Sequence, residues 1–123
     1  MRQAKDVLFW GLIVLYVGFG LIFIGHSRFV VDGVRHFSLF DDGMISMRFA
    51  RNFASGHGLV WNAGDVPVEG YTNFLWTVYM AFWHLLPISA AKISLCIQLS
   101  GLVFLASSLF LVRKISLDLT GKH

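Results

Sequence analysis

Charge is scarce in this sequence. Asp, Glu, Lys and Arg make up 14% of its 123 residues, against about a quarter in a soluble domain. With 56% hydrophobic residues and a mean hydropathy of +0.67, this excludes an ordinary water-soluble domain and points to a membrane protein. The net charge is only +3 and the basic residues are scattered; without a basic run there is no nucleic-acid patch. Cysteine is nearly absent. The lone Cys96 lies in an apolar run, so it cannot form an internal disulfide and says nothing about redox compartment. Repeats and low-complexity tracts are missing too, and the length allows one domain at most.

What is there is organised around one polar, glycine-punctuated stretch, residues 41–76, which holds four of the seven acidic residues. Apolar segments flank it. After a short leader with Arg2 and Lys5, residues 7–25 carry no charge, close to the roughly 20 residues a helix needs to cross a bilayer core. A cleaved signal peptide is the competing reading. Its apolar core would span about 7–15 residues and end at a small-x-small site, whereas this run is longer and Gly25-His26-Ser27 is a poor site. The segment is therefore read as an uncleaved anchor, with Arg2 and Lys5 holding the N-terminus in the cytoplasm. A second uncharged run ends at Val112, just before Arg113-Lys114, and predicts a second span over 91–112 with a cytoplasmic tail over 113–123.

Between them, residues 26–88 form an extracytoplasmic loop. Residues 26–40 read as a mixed connector at headgroup level, with Arg28, Asp32, Arg35 and His36. From 42 to 55 the pattern is helical, with Ile45, Phe49 and Phe53 on one face and Asp41, Arg48, Arg51 and Ser55 on another. This predicts an amphipathic surface helix, ended by Gly56. Leu59-Val60-Trp61 fits a short extended piece and Asn62 to Asp65 a turn. Thr72 or Asn73 can cap a further helix over 73–86, ending before Pro87. At 1.5 Å per residue that helix is only about 21 Å long, short for a crossing. If it crossed as well, Arg113, Lys114 and Lys122 would lie outside, against the positive-inside rule. It is read as interfacial. The predicted fold class is an all-α membrane protein: two transmembrane helices joined by an outer loop with two juxtamembrane helices.

The string Asp41-Asp42, the helix ending Ala54-Ser55-Gly56, the segment Gly58-Leu59-Val60-Trp61-Asn62 and the segment from Val68 to Trp76 (VEGYTNFLW) carry a family resemblance. Together they resemble the first outer loop of class C integral-membrane glycosyltransferases, which use polyprenyl-phosphate sugars as donors. The fuller similarity is to the arabinofuranosyltransferase-like branch. The aminoarabinose transferases and protein mannosyltransferases share the shorter pattern. The similarity spans roughly residues 5–115. Enzymes of that kind continue with many more membrane helices. The resemblance thus implies an N-terminal piece of a larger polytopic enzyme, inactive alone, with the remaining helices, the donor and the bilayer as its partners.

The resemblance implies Asp41 as the general base that takes the acceptor hydroxyl proton. Asp42 would point about 100° away on a regular helix and could hold a divalent cation, as could His57 between its two glycines. Arg48 and Arg51 could bind phosphate, and Glu69, Tyr71 and Asn73 the donor or its sugar. Each has a plain structural alternative: N-terminal helix acids favoured by the macrodipole, snorkelling arginines, a loop acid, a helix cap. Trp61, Trp76, Tyr79 and Trp83 fit an interfacial aromatic belt, and His84 reads as interfacial. Two other classes fit the composition: a small non-catalytic membrane scaffold or accessory subunit that binds polyprenyl phosphate without turnover, and an ordinary signal-anchored surface protein. The second leaves the Asp-Asp and the Glu-Gly-Tyr string unexplained.

Overall fold

The computed structural model describes residues 2–120, so Lys122, one of the tail cations in the topology argument, lies outside it. The elements in order are α1 (Arg2–His26), β1 (Arg28–Val31), β2 (Val34–Phe37), α2 (Asp41–Ala54), α3 (Phe74–Leu85) and α4 (Ala90–Leu119). The chain is mostly helical, and two of its helices are long and apolar enough to cross a membrane: Asp6–His26, within α1, and Ala90–Leu119. The contacts divide it into two compact units, one formed by α1 with the chain from Gln98 onward, the other by Ser27–Ile97.

In the first unit α1 and the later part of α4 run antiparallel. Phe110 meets both Phe9 and Trp10, at 5.5 and 5.4 Å between ring centroids. Leu102 lies so close over Gly20 that a Cβ there would come within 2.6 Å of it. Asp6 pairs with Arg113, whose guanidinium also stacks on Phe9 at 4.2 Å. The start of α1 and the end of the α4 apolar run therefore lie at one end of the pair. Little of either helix is covered within the structure, 11% and 6% of their apolar windows. Faces this apolar need lipid or further helices against them.

The second unit has its own core. Met47 and Ala50 of α2 pack on Met80 and Ala81 of α3 and on Ile93 and Ile97 in the first turns of α4, with Trp76, Trp83 and Ile88 at the margin. Ala50 and Ala81 are small enough to let the two helices come close. Helix α2 stops in a Schellman motif: Gly56 N–H donates to Phe53 O and His57 N–H to Asn52 O, both at 3.0 Å. Gly56 sits at φ 80°, the left-handed cap expected of it.

Four expectations change. The fold is not all-α, because residues 28–37 form an antiparallel hairpin around Asp32-Gly33, both at positive φ. That two-residue turn has the twist that matches paired strands. The buried side of α2 is not the Ile45–Phe49–Phe53 stripe but Ser46, Met47, Phe49, Ala50 and Asn52, since packing partners lie on two sides of the helix; Phe53 is 42% exposed. Residues 59–61 form no strand, Val60 N–H turning back to Gly58 O instead. Finally, α4 does not end at Val112. It runs through Arg113 and Lys114 to Leu119, and Ala91, Ile93, Ser94 and Ile97 are buried at its start. Thirty residues make about 45 Å of helix, more than one bilayer core requires.

Candidate functional site

Asp41 and Asp42 open α2 with no side-chain cap before them; Phe40 precedes them in extended conformation. Both carboxylates are exposed. They stand at the helix end whose free N–H groups and macrodipole favour negative charge. Arg48 and Arg51 lie on the same face as Asp41, but at 1.5 Å per residue they are roughly 10 and 15 Å further along the axis. The three form a line, not a cluster. His57 follows the opposite end of α2 from Asp42, roughly 20 Å away by the same rise. No group of three or more His, Cys, Asp or Glu able to hold a metal exists among the described residues, so Asp42 and His57 belong to none.

The loop after α2 is wrapped back onto the helix by side chains the sequence offers at regular intervals. Arg48 donates from Nε to Trp61 O at 2.9 Å and from Nη2 to Asn62 Oδ1 at 2.5 Å, and stacks on the Trp61 ring at 4.3 Å. Asn62 in turn donates to Asp65 at 2.7 Å. Asn52 Nδ2 donates to Val60 O and Trp61 O, at 2.8 and 2.9 Å. Sequence reasoning missed Asn52. The available signal was a polar, poor helix former between Phe49 and Phe53, a residue type that in mid-helix often ties itself to nearby backbone.

Phe49 is the point where the two halves of the loop meet. It is 1% exposed. The Trp61 ring lies 5.8 Å from it and the Tyr71 ring 5.0 Å, edge-on. Gly70 is held so close that a Cβ there would stand 2.9 and 3.0 Å from two Phe49 ring atoms. The Glu-Gly-Tyr string therefore has a packing reason for its glycine. Asn73 occupies the N-cap position of α3 without capping it. Its Oδ1 accepts from Ser46 Oγ at 3.1 Å, which ties α3 to α2. Glu69 and Arg51 are exposed and make no ion pair among the described residues. Trp76, Tyr79 and Trp83 form a ladder along α3, with spacings of 5.0 and 6.2 Å.

His84, half-buried on α3, has its pKa held below the ordinary 6.5 by burial and by the positive charge of Arg51. Its Nε2 and the neighbouring Trp83 Nε1 are buried without a hydrogen-bond partner among the described residues. A histidine kept neutral in the folded state takes up its proton more readily when unfolded. Stability is then full above the ordinary value of 6.5 and falls as the pH drops below it. Thermal melts of the chain in detergent should show this acid loss, and His84→Phe should flatten it. A pH-independent wild-type melt across that range would refute it.

The class defined by these features is a mostly helical protein with two helices able to cross a membrane and, between them, a packed loop unit that presents two carboxylates at a helix N-terminus. No family model matches the sequence, and no curated protein or solved structure matches it.

Proposed function

We propose that the chain is the N-terminal membrane segment of a glycosyltransferase that moves a sugar from a polyprenyl-phosphate donor to a cell-envelope glycan, lipid or protein acceptor. The observation that carries the reading is the convergence on α2 of the segments that bear the resemblance. Gly58 to Asn62 and Glu69 to Asn73 are both fastened to the helix that begins with Asp41, through Arg48, Phe49, Asn52 and Ser46. Asp41 is the base. The acceptor oxygen attacks the anomeric carbon, the carbon–oxygen bond to phosphate breaks with its electron pair leaving on phosphate, and the hydroxyl proton passes to the Asp41 carboxylate. Negative charge builds on the departing phosphate, and a cation nearby lowers that cost. Arg51 is the exposed cation of this face. Arg48 is occupied by Trp61 and Asn62. Glu69 and Tyr71 are assigned to the donor's sugar; Asn73 is occupied by Ser46.

A second reading, a non-catalytic scaffold or accessory subunit, is favoured by a specific observation: Arg48, Gly70, Tyr71 and Asn73 are already engaged in holding the loop together. Transfer assays separate the two. The chain by itself should show no transfer, because α1 and α4 leave most of their surface uncovered and two helices alone do not close a cavity around a lipid-linked donor. Membranes that also contain the remaining helices of such an enzyme should show transfer, and Asp41→Asn should remove it. Equal transfer with and without that substitution overturns the catalytic reading.

The setting is the plasma or inner membrane, with residues 26–88 outside and both termini in the cytoplasm. The Asp6–Arg113 pair supports an even number of crossings, and the basic residues at both ends support the side. Single cysteines in place of Asn62 and Ser116, on a Cys96→Ser background, should differ in intact cells. An impermeant maleimide should label the first and spare the second. Labelling at both positions would make α3 a true crossing.

A further inference from the structure

The hairpin takes no part in the site just described. Its register pairs Arg28 with Phe37, Phe29 with His36, Val30 with Arg35 and Val31 with Val34, and Ser38 N–H extends it to Ser27 O at 3.0 Å. Because side chains alternate across a strand, Phe29, His36, Val31 and Val34 share one face and Arg28, Arg35, Val30 and Phe37 the other. The first face is apolar but for His36, whose ring stacks on Phe29 at 5.5 Å between centroids. It is uncovered: Phe29, Val31 and Val34 are 47%, 47% and 49% exposed. Arg28 and Arg35 are exposed and in no ion pair among the described residues.

We propose that this hairpin is a lipid-binding element, with its Phe29–Val31–Val34 face set into the headgroup–acyl boundary and Arg28 and Arg35 paired with the phosphates of anionic phospholipids. Three arguments select the bilayer as the occupant. Arg28 follows the end of α1 by two residues, a reach of about 7 Å, so the strands begin within one headgroup depth of where the apolar span ends. A two-stranded hairpin is marginally stable in water and needs a surface to lie on. An apolar face backed by one on which two unpaired cations stand beside Val30 and Phe37 fits an interfacial element, and anionic headgroups complement its charge. The inference rests on α1 being a span and stands whether or not the chain belongs to a glycosyltransferase.

The test uses the full chain with Cys96→Ser and a single cysteine at Val31 or, on the opposite face, at Val30. Each is labelled with an environment-sensitive fluorophore and reconstituted into phosphatidylcholine vesicles containing phosphatidylglycerol, with lipids brominated near the carbonyl end of the acyl chain. Bromine should quench the label at 31 about twofold more than the label at 30, since the two point to opposite faces. Arg28→Gln with Arg35→Gln should reduce the phosphatidylglycerol that copurifies with the chain and should make quenching at 31 independent of salt. Equal quenching at both positions overturns the proposal. So does shielding at 31 that grows with protein density and ignores bromine, which would assign the face to a second copy of the chain.

Discussion

On the proposed glycosyltransferase reading, Asp41→Asn, in membranes that also hold the remaining helices, is expected to lower the rate of sugar transfer at saturating donor by about 10²–10⁴-fold, the usual worth of a general base. Insertion and donor binding should survive. The amide keeps the size of the carboxylate and can still hydrogen-bond; what it cannot do is accept the acceptor's proton. Asp41 is exposed at the first position of α2, so the exchange disturbs no packing and a lost rate reads as lost chemistry. Asp42→Asn is the control. It sits in the same turn and feels the same macrodipole, yet points about 100° away, so its rate should fall far less. If Asp42→Asn is dead while Asp41→Asn turns over normally, the base is the neighbouring residue. Arg51→Ala should raise the donor concentration needed more than it lowers the saturated rate, since a cation beside phosphate acts on ground and transition states alike.

Phe49→Ala should be the most damaging packing change, costing about 3–5 kcal/mol, the range for removing a buried phenylalanine. Its ring carries Trp61, Gly70 and Tyr71 at once, so both halves of the loop should loosen together. Hydrogen exchange over residues 58–73 would register that as faster exchange in two segments separated in sequence. Gly70→Ala approaches the same contact from the other side. The new Cβ would meet Phe49 ring atoms at 2.9 and 3.0 Å, and the ring is hemmed in by its aromatic neighbours. Overpacking of this kind costs about 1–3 kcal/mol. Combined with Phe49→Leu, which shortens the ring side, the Gly70→Ala penalty should shrink, the sign of direct coupling between the two positions. Unchanged exchange in Gly70→Ala would mean the loop does not rest on Phe49.

Gly56 shows what could be read locally. A glycine after a helical pattern predicts a left-handed cap from backbone sterics alone, and that is the cap formed. The hairpin was equally local but went unread: Asp32-Gly33 between short apolar runs is a strong turn signal, obscured by cations that suit a headgroup connector just as well. The buried side of α2 could be read only at Phe49, the one residue of the periodic stripe that is buried. Periodicity selects Ile45, Phe49 and Phe53 by hydrophobicity. Which face is buried depends instead on where α3 and the returning loop lie, and these cover Ala50, Ser46 and Asn52.

By itself the sequence determined the two helices long and apolar enough to cross a membrane, the two helices between them to within a residue at each end, and the acids at the head of α2. Each of these follows from run length, charge placement, helical periodicity or a helix-ending glycine or proline, all of them properties of neighbours along the chain. The tertiary structure alone decided that Arg48 and Asn52 grip the loop, that Gly70 is a contact glycine, that Asn73 serves Ser46 instead of its own helix, and that the first turns of α4 belong to the core of the loop unit. Those assignments depend on which groups meet across 8 to 50 residues of chain. Hydrogen bonds and ring contacts at that range are set by how α2, α3 and the loop pack together, and no local pattern encodes it.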